Sequence, residues 1–142
     1  MRAISACLLG LACRYDGAQL PSCRTFKASD SKLIPLCPEQ LGGLSTPRPK
    51  AQITGGDGYD VLDGKARVVT ECSSDVTAQF IRGAEETLRL CRKLGIEEVI
   101  LKSKSPSCGV GKIYHGETLV DGDGVTTALL RRNGLRVIRH PD

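Results

Sequence analysis

Three cysteines occupy positions at which thiol chemistry is expected. Cys7, Cys37 and Cys108 each follow a short apolar segment that has the length of a β-strand. Neighbouring parallel strands lie only about 4.8 Å apart, so their carboxyl ends would bring the three thiols to one edge of a sheet. Close thiolates repel one another unless they are protonated or bound to cations. Their convergence favours a soft metal or an iron–sulfur cluster, and three ligands would leave one iron of a four-iron cluster open.

The segment from Ile100 to Gly111 carries the strongest local signal around one of these thiols. It reads Ile-Leu-Lys-Ser-Lys-Ser-Pro-Ser-Cys-Gly-Val-Gly and changes from an apolar strand to a small, hydroxyl-rich turn. Pro106 lacks an N–H and ends the strand, while Gly109 allows a tight turn and the close approach of a ligand. The pattern fits a ligand or nucleophile at Cys108. A strand-ending turn around a small buried cysteine is the alternative.

The other four cysteines carry weaker signals. Cys13 follows Cys7 by six residues and is open to three interpretations: a fourth ligand, a redox partner or a turn residue. Cys23 has no partner in its local sequence, Cys72 is expected to pack before a helix, and Cys91 falls on the apolar stripe of that helix. Seven cysteines without a C-x-x-C pair argue against a disulfide framework, a thioredoxin-like motif and a zinc ribbon.

Glu39 and two serines are the candidate acid–base and substrate-binding groups. Glu39 lies two residues after the second strand-end cysteine, where like charge and partial burial would raise its pKa and suit it to general acid–base work. Capping or pairing with Arg48 is the alternative role. Ser103 and Ser105 could donate hydrogen bonds beside Cys108, or they could stabilise the turn itself.

The composition excludes several classes of protein. The 142 residues carry a net charge of +4, and aromatic residues make up only 4%, with no Trp. This combination offers few platforms for base stacking, so a dedicated nucleic-acid-binding module is not expected. The chain has no apolar run of about 20 residues that could span a bilayer and no signal-peptide core. We therefore expect a cytoplasmic protein with one domain over residues 1–142.

The elements that must position these residues alternate along the chain. Apolar runs predict four strands, at 2–6, 33–36, 97–102 and 135–139. Helical periodicity predicts a main helix from Ser74 or Asp75 to Leu94, stopped by Gly95, and a second helix over 121–133. Residues 52–72 resemble a hairpin whose strands, 60–62 and 66–69, flank Asp63-Gly64, and residues 112–119 form a second small hairpin around His115-Gly116.

Strands that alternate with helices predict an α/β fold. We expect a single-domain, Rossmann-like parallel sheet with helices on both faces and an added β-hairpin. In such sheets ligands bind beyond the carboxyl ends of the strands, which is the edge that the three cysteines share.

Three ordered motifs resemble those of the short thiouracil desulfidases, a family long catalogued as a domain of unknown function. The first is Ser5-Ala6-Cys7-Leu8-Leu9-Gly10 followed by Cys13-Arg14-Tyr15-Asp16-Gly17. The second is Pro35-Leu36-Cys37-Pro38-Glu39 with Gly42-Gly43-Leu44 and Thr46-Pro47-Arg48. The third is Leu101-Lys102-Ser103-Lys104-Ser105-Pro106-Ser107-Cys108-Gly109. The resemblance covers essentially the whole chain.

The resemblance implies an enzyme that contains a [4Fe-4S] cluster with three cysteine ligands, at positions matching Cys7, Cys37 and Cys108. The open iron would bind the sulfur of a thiolated pyrimidine, and 2- or 4-thiouracil would be converted to uracil and sulfide by hydrolytic C–S cleavage without net redox change. Glu39 and Ser105 match the catalytic acid–base positions. Arg14, Ser103 and Gly109 are our candidates for binding the substrate.

Other functions remain open at this stage. The same cluster could serve an iron–sulfur redox or electron-transfer protein, which would need Cys13 as a fourth ligand. A zinc or purely structural module is a further alternative. The enzyme could also act on thiolated nucleosides or tRNA, although the longer relatives linked to tRNA carry a second domain. A small-molecule substrate is therefore expected, with no membrane association and no obligate protein partner.

Overall fold

The structure is a computed structural model that describes residues 1–19 and 32–140. Cys23 lies outside the described residues. In chain order the described residues form the following elements: β1 (Arg2–Ser5), a 3-10 helix (Ala6–Leu9), β2 (Leu33–Leu36), α1 (Pro38–Leu41), β3 (Ala51–Thr54), α2 (Gly58–Leu62), β4 (Arg67–Thr70), α3 (Thr77–Leu94), β5 (Glu98–Lys102), β6 (Lys112–His115), β7 (Thr118–Asp121), α4 (Val125–Arg132) and β8 (Arg136–His140).

A four-stranded parallel sheet organises the molecule. Its strand order is β2-β1-β5-β8, and every neighbouring pair in it is parallel. Ile4 of β1 lies opposite Pro35 on one side and Ile100 on the other, so β1 sits between β2 and β5. All four strands predicted for the sheet are confirmed, with ends that differ by at most one residue.

Alternate residues of the strands build two separate cores. Ala3, Val99 and Leu101 point to one face, where they pack with side chains of α3 and α4. Ile4 and Ile100 point to the other face, which the 3-10 helix covers with its own apolar side chains. Helical segments thus lie against both faces, and the predicted α/β fold is confirmed.

Helix α3 is the longest element and packs on the sheet as its periodicity predicts. Phe80, Ala84, Leu88 and Cys91 are buried along one stripe, so the core position expected for Cys91 is confirmed. The residue at the N-cap is Val76, so the predicted cap by Ser74 or Asp75 is wrong, although the Asp75 carboxylate accepts the backbone N–H of Thr77 at 2.9 Å just before the first turn. The helix ends at Gly95, whose φ of 70° is the left-handed conformation that favours glycine.

The hairpin predicted over residues 52–72 is wrong in its inner part. The paired strands are β3 and β4, and residues 60–62 belong to helix α2. The physical reason is a capping box: the Asp57 side chain accepts the N–H groups of Tyr59 and Asp60, and Asp60 accepts the N–H of Asp57 in return. Asp63-Gly64 therefore ends a helix instead of turning a hairpin.

The second hairpin is confirmed as β6 and β7, with its turn after His115. Helix α4 begins at Val125, four residues later than the predicted start at 121. Asp121 is instead the last residue of β7, where it pairs with Lys112 of β6.

A short helix, α1, follows the second strand directly and was not predicted. Its backbone touches that of α3: a Cβ added to Gly83 would lie 2.0 Å from the Pro38 carbonyl oxygen, and one added to Gly42 would lie 2.1 Å from the Gln79 carbonyl oxygen. Only glycine permits this approach. The contact fixes the segment that carries Cys37 and Glu39.

Within the described part of the chain, none of the helices combines the length and the apolar character that crossing a lipid bilayer requires.

Candidate functional site

A cavity of about 520 Å³ opens beyond the carboxyl ends of β1, β2 and β5. Its volume lies within the range of small-molecule binding sites. Three groups of residues line it. The loop after β1 contributes Ser5, Ala6, Cys7, Cys13, Arg14 and Tyr15, and the segment after β2 contributes Leu36, Cys37, Pro38, Glu39, Arg48, Lys50, Ala51 and Gln52. The loops after β5 and β6 contribute Lys102, Ser103, Lys104, Ser105, Pro106, Cys108, Tyr114, Gly116 and Glu117.

The three strand-end cysteines all line this cavity. Cys7 lies in the 3-10 helix after β1, Cys37 is the residue before α1, and Cys108 lies on the turn beyond β5. Since β1 is hydrogen-bonded to both β2 and β5, the three loops leave the sheet side by side. Cys7 and Cys108 are buried and Cys37 is partly buried. The structure thus brings together thiols that are up to 101 positions apart in sequence.

Cys13 is a fourth thiol in the same cavity, where it is 5% exposed. A hydrogen bond from Cys37 lowers its pKa, but a second one with Cys7 and burial outweigh that effect, so the pKa of Cys13 is raised. The Cys13 carbonyl oxygen also accepts hydrogen bonds from Cys37 Sγ at 3.8 Å and from Arg48 Nη2 at 3.0 Å. The three interpretations of Cys13 from the sequence, as a fourth ligand, a redox partner or a turn residue, stay predictions, and the structure adds that its thiol lies beside those of Cys7 and Cys37.

Burial and mutual charge favour the protonated thiols of Cys37 and Cys108 in the absence of a cation. Burial, followed by the charges of Cys37 and Glu39, raises the pKa of Cys108 to about 12. The pKa of Cys37 is also raised, chiefly by its hydrogen bond with Cys13 and then by burial. Binding a cation would relieve both effects, because it supplies the positive charge that a thiolate needs in a dry site.

The donor set suits an iron–sulfur cluster. Among residues 1–19 and 32–140, no group of three or more His, Cys, Asp or Glu side chains is arranged to hold one metal ion. Proteins hold iron–sulfur clusters through cysteine thiolates. Three such sulfur donors, two buried and one partly buried, line the cavity from three separate loops.

Glu39 and Arg48 form a mostly buried ion pair at the floor of the cavity. Arg48 Nε lies 3.2 Å from Glu39 Oε1, and the two side chains are 5% and 17% exposed, in that order. Burial raises the pKa of Glu39, against the lowering effect of Arg48. Arg48 also donates to the carbonyl oxygen of Ser45 and to Thr46 Oγ1, so its guanidinium is held from several sides. The ion pair with Arg48, which the sequence offered as the alternative role of Glu39, is present. The pKa of Glu39 is raised as expected, through burial and not through like charge, and its acid–base role stays a prediction.

The turn before Cys108 holds the two candidate serines. Ser105 Oγ accepts the backbone N–H of Cys108 at 2.7 Å, while Ser103 is 1% exposed. Both line the cavity, as does Arg14. Gly109 does not line it: a Cβ there would lie 2.6 Å from the Ser105 carbonyl oxygen. Gly109 is packed inside the turn, and its contact with substrate stays a prediction.

Sequence reasoning missed the outer wall of the cavity. Tyr15 comes from the first loop, and Tyr114 comes from the β6–β7 hairpin. Lys50 Nζ lies 5.5 Å from the centre of the Tyr114 ring, and the Gln52 side chain accepts the backbone N–H of Gly116 at 2.6 Å. The hairpin is thereby docked beside β3. Tyr15 belongs to a motif that the sequence shows directly. The docking of the β6–β7 hairpin beside β3, which brings Tyr114 to the cavity, has no such local signal.

The lining of the cavity carries more positive than negative charge. It includes five cationic side chains, Arg14, Arg48, Lys50, Lys102 and Lys104, and two carboxylates, Glu39 and Glu117. Lys104 has a φ of 76°, an uncommon conformation for a residue with a side chain, of the kind that clusters at functional sites.

Comparisons with known proteins agree over nearly the whole chain. A family model described as 2-thiouracil desulfurase matches residues 3–142. The uncharacterized protein YbbK of Bacillus subtilis (strain 168) is 47% identical over 139 residues, covering 95% of this chain and 92% of its own. A solved structure of the [4Fe-4S]-dependent thiouracil desulfidase TudS superposes with a TM-score of 0.81 at 42% identity, covering 97% of this chain and 89% of that one.

Proposed function

The chain belongs to the 2-thiouracil desulfurase family, and we propose that it converts 2- or 4-thiouracil to uracil and sulfide. The observation that carries this proposal is the meeting of three strand-end thiols with Glu39 and Ser105 in one cavity of about 520 Å³. The structural match to the thiouracil desulfidase TudS supports the same activity. We take residues 1–142 as one domain, because the family match spans 3–142.

The cofactor we propose is a [4Fe-4S] cluster held by Cys7, Cys37 and Cys108, with one iron left without a protein ligand. The match to TudS, which is [4Fe-4S]-dependent, supports the cluster. The soft thiol donors, of which Cys7 and Cys108 are buried, support the three ligands. When bound, the cluster would supply a Lewis acid that polarises the C–S bond of the substrate.

Glu39 is the proposed general base. Its burial raises its pKa and so increases its affinity for a proton near neutral pH. Arg48 fixes the carboxylate through Nε and leaves the second carboxylate oxygen for a water molecule. Glu39 removes a proton from that water as the water attacks the ring carbon that carries the sulfur.

Ser105 is the proposed partner in proton transfer. Its oxygen already accepts the Cys108 N–H, which occupies a lone pair and leaves the hydroxyl proton to be donated. The cavity-lining position of Ser105 suits donation to a ring nitrogen of the substrate as the C–S bond breaks.

The substrate ring would lie against the outer wall. Tyr15 and Tyr114 present aromatic surface to the cavity, and a pyrimidine stacks readily on such a side chain. Arg14 and Ser103 remain our candidates for polar contacts with the ring substituents.

Anaerobic reconstitution followed by a sulfide assay tests the proposal. The wild-type protein should bind iron and release sulfide from thiouracil, and Cys108→Ala should lose both properties. Glu39→Gln should retain iron but lose turnover. Cys13→Ser is the matched control because it removes a neighbouring thiol, and it should keep its iron and its activity.

The same variants separate the alternatives. An electron carrier with four cysteine ligands would lose its cluster spectrum in Cys13→Ser. A protein that remains colourless after strictly anaerobic reconstitution, with no iron taken up, would contradict the proposed cofactor.

A second candidate substrate class is favoured by the charge of the cavity lining. Arg14, Lys50, Lys102 and Lys104 would suit the phosphate of a thiolated nucleotide better than a neutral base. Comparing kcat/KM for 4-thiouracil, 4-thiouridine and its 5′-monophosphate decides between them. A preference for the monophosphate that disappears at high salt would support the nucleotide, and equal values would support the free base.

A further inference from the structure

Two buried hydroxyl groups, of Ser107 and Ser5, hydrogen-bond with the sulfur of Cys108, and a third, of Thr126, lies behind Ser107. Ser107 Oγ lies 4.0 Å from that sulfur and 2.8 Å from Thr126 Oγ1, and these two hydroxyl side chains are almost completely buried. On another side, Ser5 lines the same cavity and forms a hydrogen bond with Cys108 that favours the thiolate. The hydroxyls come from three separate elements: the end of β1, the Cys108 turn and the first turn of α4.

The directions of these hydrogen bonds depend on the charge of the sulfur. A thiol at Cys108 donates to Ser107 Oγ, and Ser107 can then donate to Thr126. A thiolate has no proton, so Ser107 must donate to the sulfur and accept from Thr126 instead. Either atom of the Ser107–Thr126 pair can be the donor at 2.8 Å, so the reversal requires only rotation of the two hydroxyl protons.

Ser5 is already oriented to donate. Its Oγ accepts the backbone N–H of Lys102 at 3.0 Å, which occupies a lone pair of the oxygen. The hydroxyl proton is thereby left to be donated, and the hydrogen bond between Ser5 and Cys108 gives it the sulfur as an acceptor. Ser5 is 3% exposed, so bulk water does not compete for this proton.

We propose that Ser107, supported by Thr126, and Ser5 donate hydrogen bonds to the Cys108 sulfur and thereby set the reduction potential of the cluster that it would hold. The inference rests on the proposed function, because it requires Cys108 to be a cluster ligand. Hydrogen bonds to cluster sulfurs stabilise the more negatively charged, reduced state. Their loss should shift the potential to more negative values and speed oxidative cluster loss in air.

The experiment compares hydroxyl-deleting variants of the reconstituted protein. Ser107→Ala and Ser5→Ala remove a donor to the sulfur. Thr126→Val is nearly isosteric and removes only the hydroxyl behind Ser107. Midpoint potentials are measured by redox titration with electron paramagnetic resonance, alongside iron content and circular dichroism.

The expected result is a negative shift for Ser107→Ala and Ser5→Ala, and a smaller shift in the same direction for Thr126→Val. Thr126→Ser keeps the hydroxyl and should retain the wild-type potential. Thr87→Val is the matched control: Thr87 is equally buried, but its hydroxyl donates to the Gly83 carbonyl in α3, away from the cavity.

Wild-type potentials in Ser107→Ala, Ser5→Ala and Thr126→Val at full iron content would overturn the inference. A shift in Thr87→Val as large as that in Thr126→Val would also overturn it, because the effect would then be a general result of core substitution. If the potentials shift as expected but thiouracil releases no sulfide, the proposed function fails and the donor set stands. If sulfide is released and the potentials do not move, the reverse holds.

Discussion

Replacing Arg48 tests how the acid–base residue is held. Arg48 is 5% exposed and makes an ion pair with Glu39 together with hydrogen bonds to Ser45, Thr46 and the Cys13 carbonyl oxygen. Arg48→Ala leaves a largely buried carboxylate without its counter-charge. Removing one partner of a buried pair costs about 3 to 5 kcal/mol of unfolding free energy.

The assay is thermal and urea unfolding of the reduced protein under nitrogen. For a chain of this size, the expected loss corresponds to a fall in Tm of about 10 °C. The control is Arg67→Ala, which breaks an ion pair with Asp75 whose side chains are 59% and 46% exposed. Exposed pairs contribute little, so this variant should unfold close to the wild-type midpoint.

A double variant isolates the role of the buried charge. Arg48→Ala combined with Glu39→Gln has no uncompensated carboxylate, so it should be more stable than Arg48→Ala alone. If the double variant is no more stable than the single one, the loss comes from the hydrogen bonds of Arg48, and the electrostatic reasoning is refuted.

Three further predictions concern the wall, the short helix and the pH response. Tyr114→Ala should raise KM for thiouracil several-fold or more with little change in kcat, because stacking on an aromatic side chain contributes about 1 to 3 kcal/mol per base. Tyr114→Phe keeps the aromatic ring and should keep the wild-type KM. Equal effects of the two variants would contradict stacking. Gly83→Ala should destabilise the fold by about 1 to 3 kcal/mol or more, because its Cβ would lie 2.0 Å from the Pro38 carbonyl oxygen, and urea unfolding against the exposed Arg82→Ala on the same helix checks this. Burial raises the pKa of Glu39 in the folded state above its ordinary value of 4.5. At pH values above 4.5 the folded state therefore binds more protons at Glu39 than the unfolded state does. The contribution of Glu39 to stability is lost as the pH rises through its raised pKa in the folded state. The urea midpoint of the wild-type protein should therefore fall over this pH range, and that fall should be absent in Glu39→Gln. The same pH dependence of the midpoint in both proteins would exclude Glu39 as the cause.

The sequence predicts the inner half of the site because its signals are local. Each strand-end cysteine follows its own apolar run, and the order of a parallel sheet then brings the loops together. Glu39 needs only its position two residues after Cys37. The main helix is equally local, since its stripe and its terminal Gly95 are contiguous.

The outer half depends on pairing that no local pattern encodes. β3 finds its partner β4 across helix α2, and the sequence instead suggested a tight turn at Asp63-Gly64. The placement of Tyr114 requires that the β6–β7 hairpin dock beside β3 through Gln52. Helix α1 is too short for a periodic signal, and its close contact with Gly83 appears only when α3 is in place.

The placement of three thiol-bearing loops on adjacent, hydrogen-bonded strands has a consequence for how the protein would mature. Backbone pairing inside the sheet, together with the packing of α3 against it, holds the roots of the loops without help from iron. In contrast to small zinc domains that are unfolded without their metal, we expect this chain to fold first and to bind the proposed cluster afterwards. Assembly of the centre would then resemble docking into a finished receptor, and repair after oxidative damage would not require the polypeptide to be made again.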